Sequence, residues 1–175
     1  MIMDEFKEMY PTRCPVWWAR RGLVELKRDD LGVTGRLVVI RMWKESIETK
    51  GIAKLFQFFE KIMFKITKGP RELRRTLDDM NSLLWELSDG SRTFNEICQI
   101  MDEIFAEHIS PVEERTAIAL RQFETLGFLV MLKEKFDGSW PNGPGINIPN
   151  NPLPDPAEKL ELDITPNGDE VSKWN

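Results

Sequence analysis

Side chains able to do chemistry are sparse in this sequence, and none falls into a catalytic spacing. The single histidine, His108, precedes a helix start at Ser110-Pro111, where an imidazole meets terminal carbonyls. Cys14 and Cys98 are too few for a disulfide framework and, with one histidine, too few for a familiar zinc site. Cys98 falls inside an amphipathic helical stretch as a half-buried small residue. Cys14 falls in an N-terminal arm, residues 1–14, read as flexible, with no base near it in sequence. Asp78, Asp79 and Asp89 read as helix caps and turn formers. There is no Ser/His/Asp order, phosphate loop or paired-carboxylate motif. The sequence therefore predicts a protein without enzymatic activity, cofactor or metal.

Charge narrows the partners. The 175 residues carry a net charge of −5, unevenly placed. Residues 136–175 hold 7 acids and 2 lysines, so the remaining 135 residues balance at 22 of each sign. A neutral body with an acidic tail is a poor match for a phosphate backbone, so nucleic acid is not an expected partner. No run of about 18 apolar residues could span a bilayer. The opening MIMDEFKEMY has acids where an export signal needs a basic and then an apolar run, so a cytoplasmic location is expected. Seven of the 11 prolines lie after Lys135. Proline removes donors and glycine raises the entropic cost of order, so the tail from 137 is predicted to be largely disordered, with one local turn near 157–162. Trp140 and Trp174 are expected to rest loosely on the body.

Several elements must position whatever the chain binds. Val16-Trp17-Trp18-Ala19 and Leu23-Val24-Glu25-Leu26 flank Arg20-Arg21-Gly22 as a predicted hairpin. The β-branched run 36–43 reads as a strand. So does 71–77, where Leu73, Arg75 and Leu77 alternate against Glu72, Arg74 and Thr76. Between them, Ile52, Leu55, Phe56, Phe59, Ile62, Met63 and Ile66 mark an amphipathic helix over 52–66. A second helix covers about 80–87 and is stopped by Asp89-Gly90. A third opens with the capping box Thr93-Phe94-Asn95-Glu96. A fourth is expected to start with Ser110 as cap, Pro111 at its first position and Glu113 completing a second box. It ends at Gly127, before the strand Phe128-Leu129-Val130-Met131-Leu132. The predicted fold class is α+β: a winged helix-turn-helix three-helix bundle with a small N-terminal antiparallel sheet and the inserted 52–66 helix, all within 15–135.

The segment from Leu77-Asp78-Asp79 through Trp85-Glu86-Leu87, Asp89-Gly90 and Arg92-Thr93 to Glu96-Ile97 resembles the hallmark of the PqqD family. The closing Phe123-Glu124-Thr125-Leu126-Gly127-Phe128-Leu129 is similar to that family's final helix and turn. The specific likeness covers 77–132, and a looser one reaches back to Pro15. It implies a recognition element for ribosomally made, post-translationally modified peptides. Such a domain captures the leader of a precursor peptide and presents it to a modifying enzyme, often a radical S-adenosylmethionine protein. The leader is expected to add a strand to the sheet edge and lie against the last helix.

On that reading the peptide-binding residues are Arg71, Leu73, Arg74, Arg75 and Leu77 on the edge strand, and Val112, Arg115, Ala119 and Gln122 along one helix face. An open edge offers unpaired backbone groups, and the arginines would suit an acidic peptide. The same arginines equally suit plain edge protection, and the helix face equally suits core and rim. A proline at Leu73 is expected to delete an edge donor. The 52–66 helix and the tail depart from the compact family pattern. For that helix, ordinary packing is preferred over contact with a membrane surface. Three rival readings remain. A DNA-binding helix is disfavoured by Glu113 and Glu114 at its start, and an enzyme by the missing motifs. A protein–protein adaptor without any precursor peptide stays open, as does a two-fold dimer through the free edge or the 52–66 helix.

Overall fold

The computed structural model describes residues 6–22, 36–43, 72–147 and 152–166. In chain order the elements are β1 (Tyr10–Arg13), β2 (Trp17–Arg21), β3 (Leu37–Trp43), β4 (Glu72–Thr76), α1 (Asp79–Leu87), α2 (Phe94–Phe105), α3 (Val112–Thr125) and β5 (Leu129–Leu132). Short 3-10 turns occur at Ala106–His108 and Glu158–Leu160. The fold is α+β, with three helices and two small antiparallel sheets among the described residues: β2-β3-β4, and β1 paired with β5.

Local chemistry accounts for the helix ends. Asp78 caps α1 by accepting from Asn81 N at 2.8 Å. Thr93 and Glu96 satisfy each other's backbone N–H groups at the start of α2, as the capping box predicts. The second predicted box does not form. Pro111 occupies the cap position of α3 with no side-chain cap. The Glu113 carboxylate that should turn back on the helix start instead accepts from Lys7 Nζ at 2.9 Å.

Alternation in the three-stranded sheet sets two faces. Trp18, Ile40 and Arg75 stand in register on one, and Trp17, Arg41 and Arg74 on the other. The first face packs on the helices, with Val38 and Ile40 in the main core. At the centre of that core the Trp85 ring meets Trp18, Phe123 and Phe128 edge-on, with centroids 6.2, 5.6 and 6.2 Å away. The second face carries a smaller cluster of Trp17, Ala19 and Leu153, with Trp43 and Leu162 against it.

Three expectations change. Arg20 and Arg21 are not a hairpin turn: β2 runs through them and pairs with β3, Arg20 opposite Val38 and Arg21 opposite Leu37. Residues 10–13 are not a flexible arm, because β1 pairs with β5 and its other side meets the α1–α2 turn through Arg13 N to Ser88 O (2.9 Å) and Gly90 N to Pro11 O (3.0 Å). Cys14 follows directly and donates its N–H to Phe128 O at 2.8 Å. Nor is the segment after 136 detached where it is described. Asn142 and Leu153 are buried, and Trp140 Nε1 donates to Arg13 O at 2.8 Å. The proline- and glycine-rich composition disfavours long helices and strands, but it leaves backbone carbonyls free to accept from the body.

The predicted strand 23–26, the 52–66 helix, Arg71 and Trp174 lie outside the described residues. Among the described residues no helix is long and apolar enough to cross a membrane.

Candidate functional site

The strand expected to receive a peptide is β4, and its backbone polarity can be read from one bond. Leu77 N donates to Val38 O at 2.9 Å, so Leu77 turns its amide toward β3. Successive strand residues point their backbone groups to opposite sides. Leu73 and Arg75 therefore direct N–H and C=O into the ladder, while Glu72, Arg74 and Thr76 direct theirs outward. Among the described residues no strand pairs with that outward side. The open donors are consequently not those of Leu73. A proline there would break the ladder to β3 rather than the free edge, which corrects the expectation above.

Side chains on β4 separate by face. Leu73 lies opposite Met42 and is half-buried, Leu77 is buried in the core, and Arg75 is exposed beside Ile40. On the other face Arg74 stands directly across from Arg41, a like-charge pair that would repel without a mediator. Glu72 supplies it, accepting from Arg41 Nε at 2.6 Å and Arg74 Nε at 2.8 Å. The Arg41 hydrogen bond is the main reason the Glu72 carboxyl is lowered to about 2, with Arg74 adding to it against the opposing effect of burial. Arg74 is thus engaged within the chain, whereas Arg75 makes no hydrogen bond or ion pair among the described residues. Arg71 lies outside them.

The opposite edge, along β2, is closed. Gly145 N donates to Trp18 O at 2.8 Å, and Arg20 and Asp163 exchange two backbone bonds of 2.8 Å each. Arg20, only 1% exposed, forms an ion pair with Glu86 at 3.1 Å and donates from Nη1 to Thr165 O at 2.8 Å. Arg13 is equally buried; it donates to the α1 carbonyls of Trp85 (2.8 Å) and Glu86 (2.9 Å) and to Asn142 O (3.1 Å). Both guanidiniums lie over the Trp18 ring, 4.9 and 4.8 Å from its centroid. Asn142 O also accepts from Trp18 Nε1 at 3.0 Å.

The helix residues expected to complete the site stand on α3, which packs on α2 and β5 rather than forming a principal contact with β4. Val112 and Ala119 lean on the core, Arg115 Nη1 donates to His108 O at 3.0 Å, and Gln122 is exposed. The sequence reading passed over Ile118, which is 57% exposed between Arg115 and Gln122 on the same stripe. Its signal was an apolar residue three positions after Arg115 on an otherwise polar face.

Burial disfavours the thiolate at both cysteines. Burial raises the Cys14 thiol above its ordinary range and pushes Cys98 up to about 11. Among the described residues no group of three His, Cys, Asp or Glu could hold a metal ion. Asp89 accepts from Ser91 N at 2.8 Å within its turn. Burial opposes its charge, but the Ser91 hydrogen bonds and the charges of Arg13 and Arg92 win, so its pKa is lowered.

The residues behind the family resemblance hold the scaffold. Trp85 is the aromatic hub, Glu86 neutralises buried Arg20, Leu87 is core, and Thr93 with Glu96 caps α2. Gly90 has φ of +82°, and a Cβ there would stand 2.3 Å from Phe136 Cβ and 2.6 Å from Thr12 Oγ1. Comparison with protein-family models, curated proteins and solved structures finds no match for the chain.

Proposed function

We propose that this chain is a non-catalytic peptide-binding protein of the PqqD type, whose helices and final strand form a winged helix-turn-helix beside a recognition sheet. It captures the leader of a precursor peptide by strand addition to β4 and presents it to a modifying enzyme of the radical S-adenosylmethionine class. The mechanism is tethering, which raises the substrate's local concentration at an enzyme acting in trans. The reading is carried by one observation: the outward backbone groups of Glu72, Arg74 and Thr76 have no strand partner among the described residues, while the other edge of the same sheet is filled. Added main-chain bonds would supply affinity, and side chains beside Leu73 and Arg75 would supply selectivity. Arg75, exposed and without an ion-pair partner among the described residues, favours an acidic residue on the peptide.

The test is affinity capture from the host lysate with mass spectrometry, comparing wild type, Arg74→Ala and Arg74→Pro. Alanine keeps the outward N–H and proline removes it. A small peptide and a radical-type enzyme retained by wild type and Arg74→Ala but lost with folded Arg74→Pro is the expected result. Identical captures from all three would remove edge addition as the mechanism and leave an adaptor that works through another face.

A further inference from the structure

The second face of the sheet carries a peptide in the structure, and that peptide belongs to the chain itself. Residues 152–166 run along it with no strand of their own, apart from the single turn Glu158–Leu160 and one bridge from Asp163 to Arg20. Leu153 is buried with Trp17 and Ala19, and Leu162 and Trp43 close the cluster. Pro152 and Pro154 bracket Leu153 yet both are exposed, so they shape the segment more than they touch the sheet. A proline after Leu153 holds that residue in the extended region. Arg41 lies 4.3 Å over the Trp17 ring and donates from Nη2 to Pro154 O at 2.8 Å. Its Nη1 is buried without a hydrogen-bond partner among the described residues. Farther along, Asp163 adds to the β2 edge through two backbone bonds, and its carboxylate pairs with Arg36.

An apolar anchor packed against tryptophans, an arginine on a proline carbonyl and a backbone bridge to a sheet edge at an acid are the parts of a peptide-recognition site. The segment reaches the core at few points: Thr165 O accepts from buried Arg20 Nη1, and Asp163 bonds the Arg20 backbone. Leu153 is its one buried residue among those described, whereas the preceding stretch buries Asn142, whose carbonyl serves both Arg13 and Trp18. We propose that Trp17, Trp43, Arg41, Arg36 and the β2 edge form a second peptide-binding site. Its ligand class is an extended acidic peptide with a leucine between two prolines, and residues 152–166 occupy it in cis. Four residues, 148–151, join the segment to the body, and so short a tether competes with free peptide at an effective concentration on the order of millimolar. The site lies on the second face and the β2 edge, and it meets the β4 edge only through the Arg41–Glu72 pair.

Fluorescence anisotropy with a labelled synthetic peptide of residues 152–166 tests the assignment on the full chain. Leu153→Asp in the protein removes the anchor of the cis segment but leaves the site. That variant should bind the probe at least tenfold more tightly than wild type. A probe carrying the same Leu153→Asp change should not bind. Equal binding by variant and wild type, or equal binding of the two probes, overturns the proposal. Loss of cooperative melting in Leu153→Asp also overturns it, because the segment would then be a structural element and not a ligand. Thr76→Pro removes an outward β4 N–H opposite Val39, away from the Arg41–Glu72–Arg74 cluster, and should leave probe binding unchanged, which separates this outcome from the fate of the β4 reading.

Discussion

The two outer strands of one small sheet face the same hazard and meet it differently. β2 would expose the backbone groups of Trp18 and Arg20, and the chain returns to cover both, with Gly145 on one and Asp163 on the other. Buried charge reinforces that cover, since Arg20 is held by Glu86 below and by Thr165 O beyond. β4 has no such cover among the described residues, and its outer face is managed with charge alone, through Arg41, Glu72 and Arg74. Covering and charging are both established ways to blunt an edge, but only the second leaves the backbone reachable. The contrast teaches where this molecule spends structure and where it leaves access.

The largest expected effect sharpens that contrast at the ion pairs. Arg20–Glu86 is almost completely buried, with side chains 1% and 3% exposed. Glu86→Ala would leave a guanidinium charge uncompensated in the core and should cost about 3–5 kcal/mol in urea unfolding. Arg74→Ala removes an exposed arm of the Glu72 cluster and should cost no more than about 1 kcal/mol. Equal losses would mean that the two edges are not built differently in energetic terms.

Next come two neighbouring prolines. Leu73→Pro deletes an N–H that enters the ladder and leaves its β3 acceptor unsatisfied, at about 1–3 kcal/mol, with further loss from the half-buried leucine. Arg74→Pro deletes an outward N–H and should cost well under that. Chemical denaturation of both variants checks the backbone polarity deduced from the Leu77–Val38 bond. A reversed order of stability would invert the assignment of the open donors.

Much of this architecture could be read from local signals, and the reasons are physical. Thr93 with Glu96 acts within one helical turn, and the Leu83, Leu84 and Leu87 spacing needs only a helix and a core. β3 and β4 announced themselves by β-branched content and alternation. What escaped were pairings across long separations. Nothing near Tyr10–Arg13 in sequence shows that it meets Leu129–Leu132. The tail was misjudged because Pro and Gly content disfavours long helices and strands, but does not remove the acceptors for Arg13, Trp18 and Arg41. Buried arginines run against the usual exposure of that residue. A signal was nonetheless present: in a strand through 17–21, Arg20 must share a face with Trp18. At the candidate site, alternation identified the side-chain faces of β4 correctly. It could not say which amides point outward, because that depends on the register with β3.

The smallest effect is a pH dependence that separates the charge-managed edge from the covered one. Glu72 has a pKa near 2 in the fold, against an ordinary value of 4.5, chiefly because of the Arg41 hydrogen bond. A carboxylate with a depressed pKa stabilises the fold fully above its unfolded value. That contribution fades as pH falls from 4.5 toward 2 and is gone once both states are protonated. Asp163 on the covered edge is lowered as well, first by its hydrogen bonds from Thr165 and only secondarily by Arg36 and Arg20. Glu72→Gln should therefore flatten the acid limb of a stability–pH curve by about 1–2 kcal/mol and leave the remaining slope to Asp163 and its like. Adding salt should narrow the gap between wild type and Glu72→Gln only slightly, because the Arg41 side of the pair is buried and poorly screened. A gap that vanishes in high salt would place the Glu72 cluster in solvent, and β4 would then be held by its ladder to β3 alone.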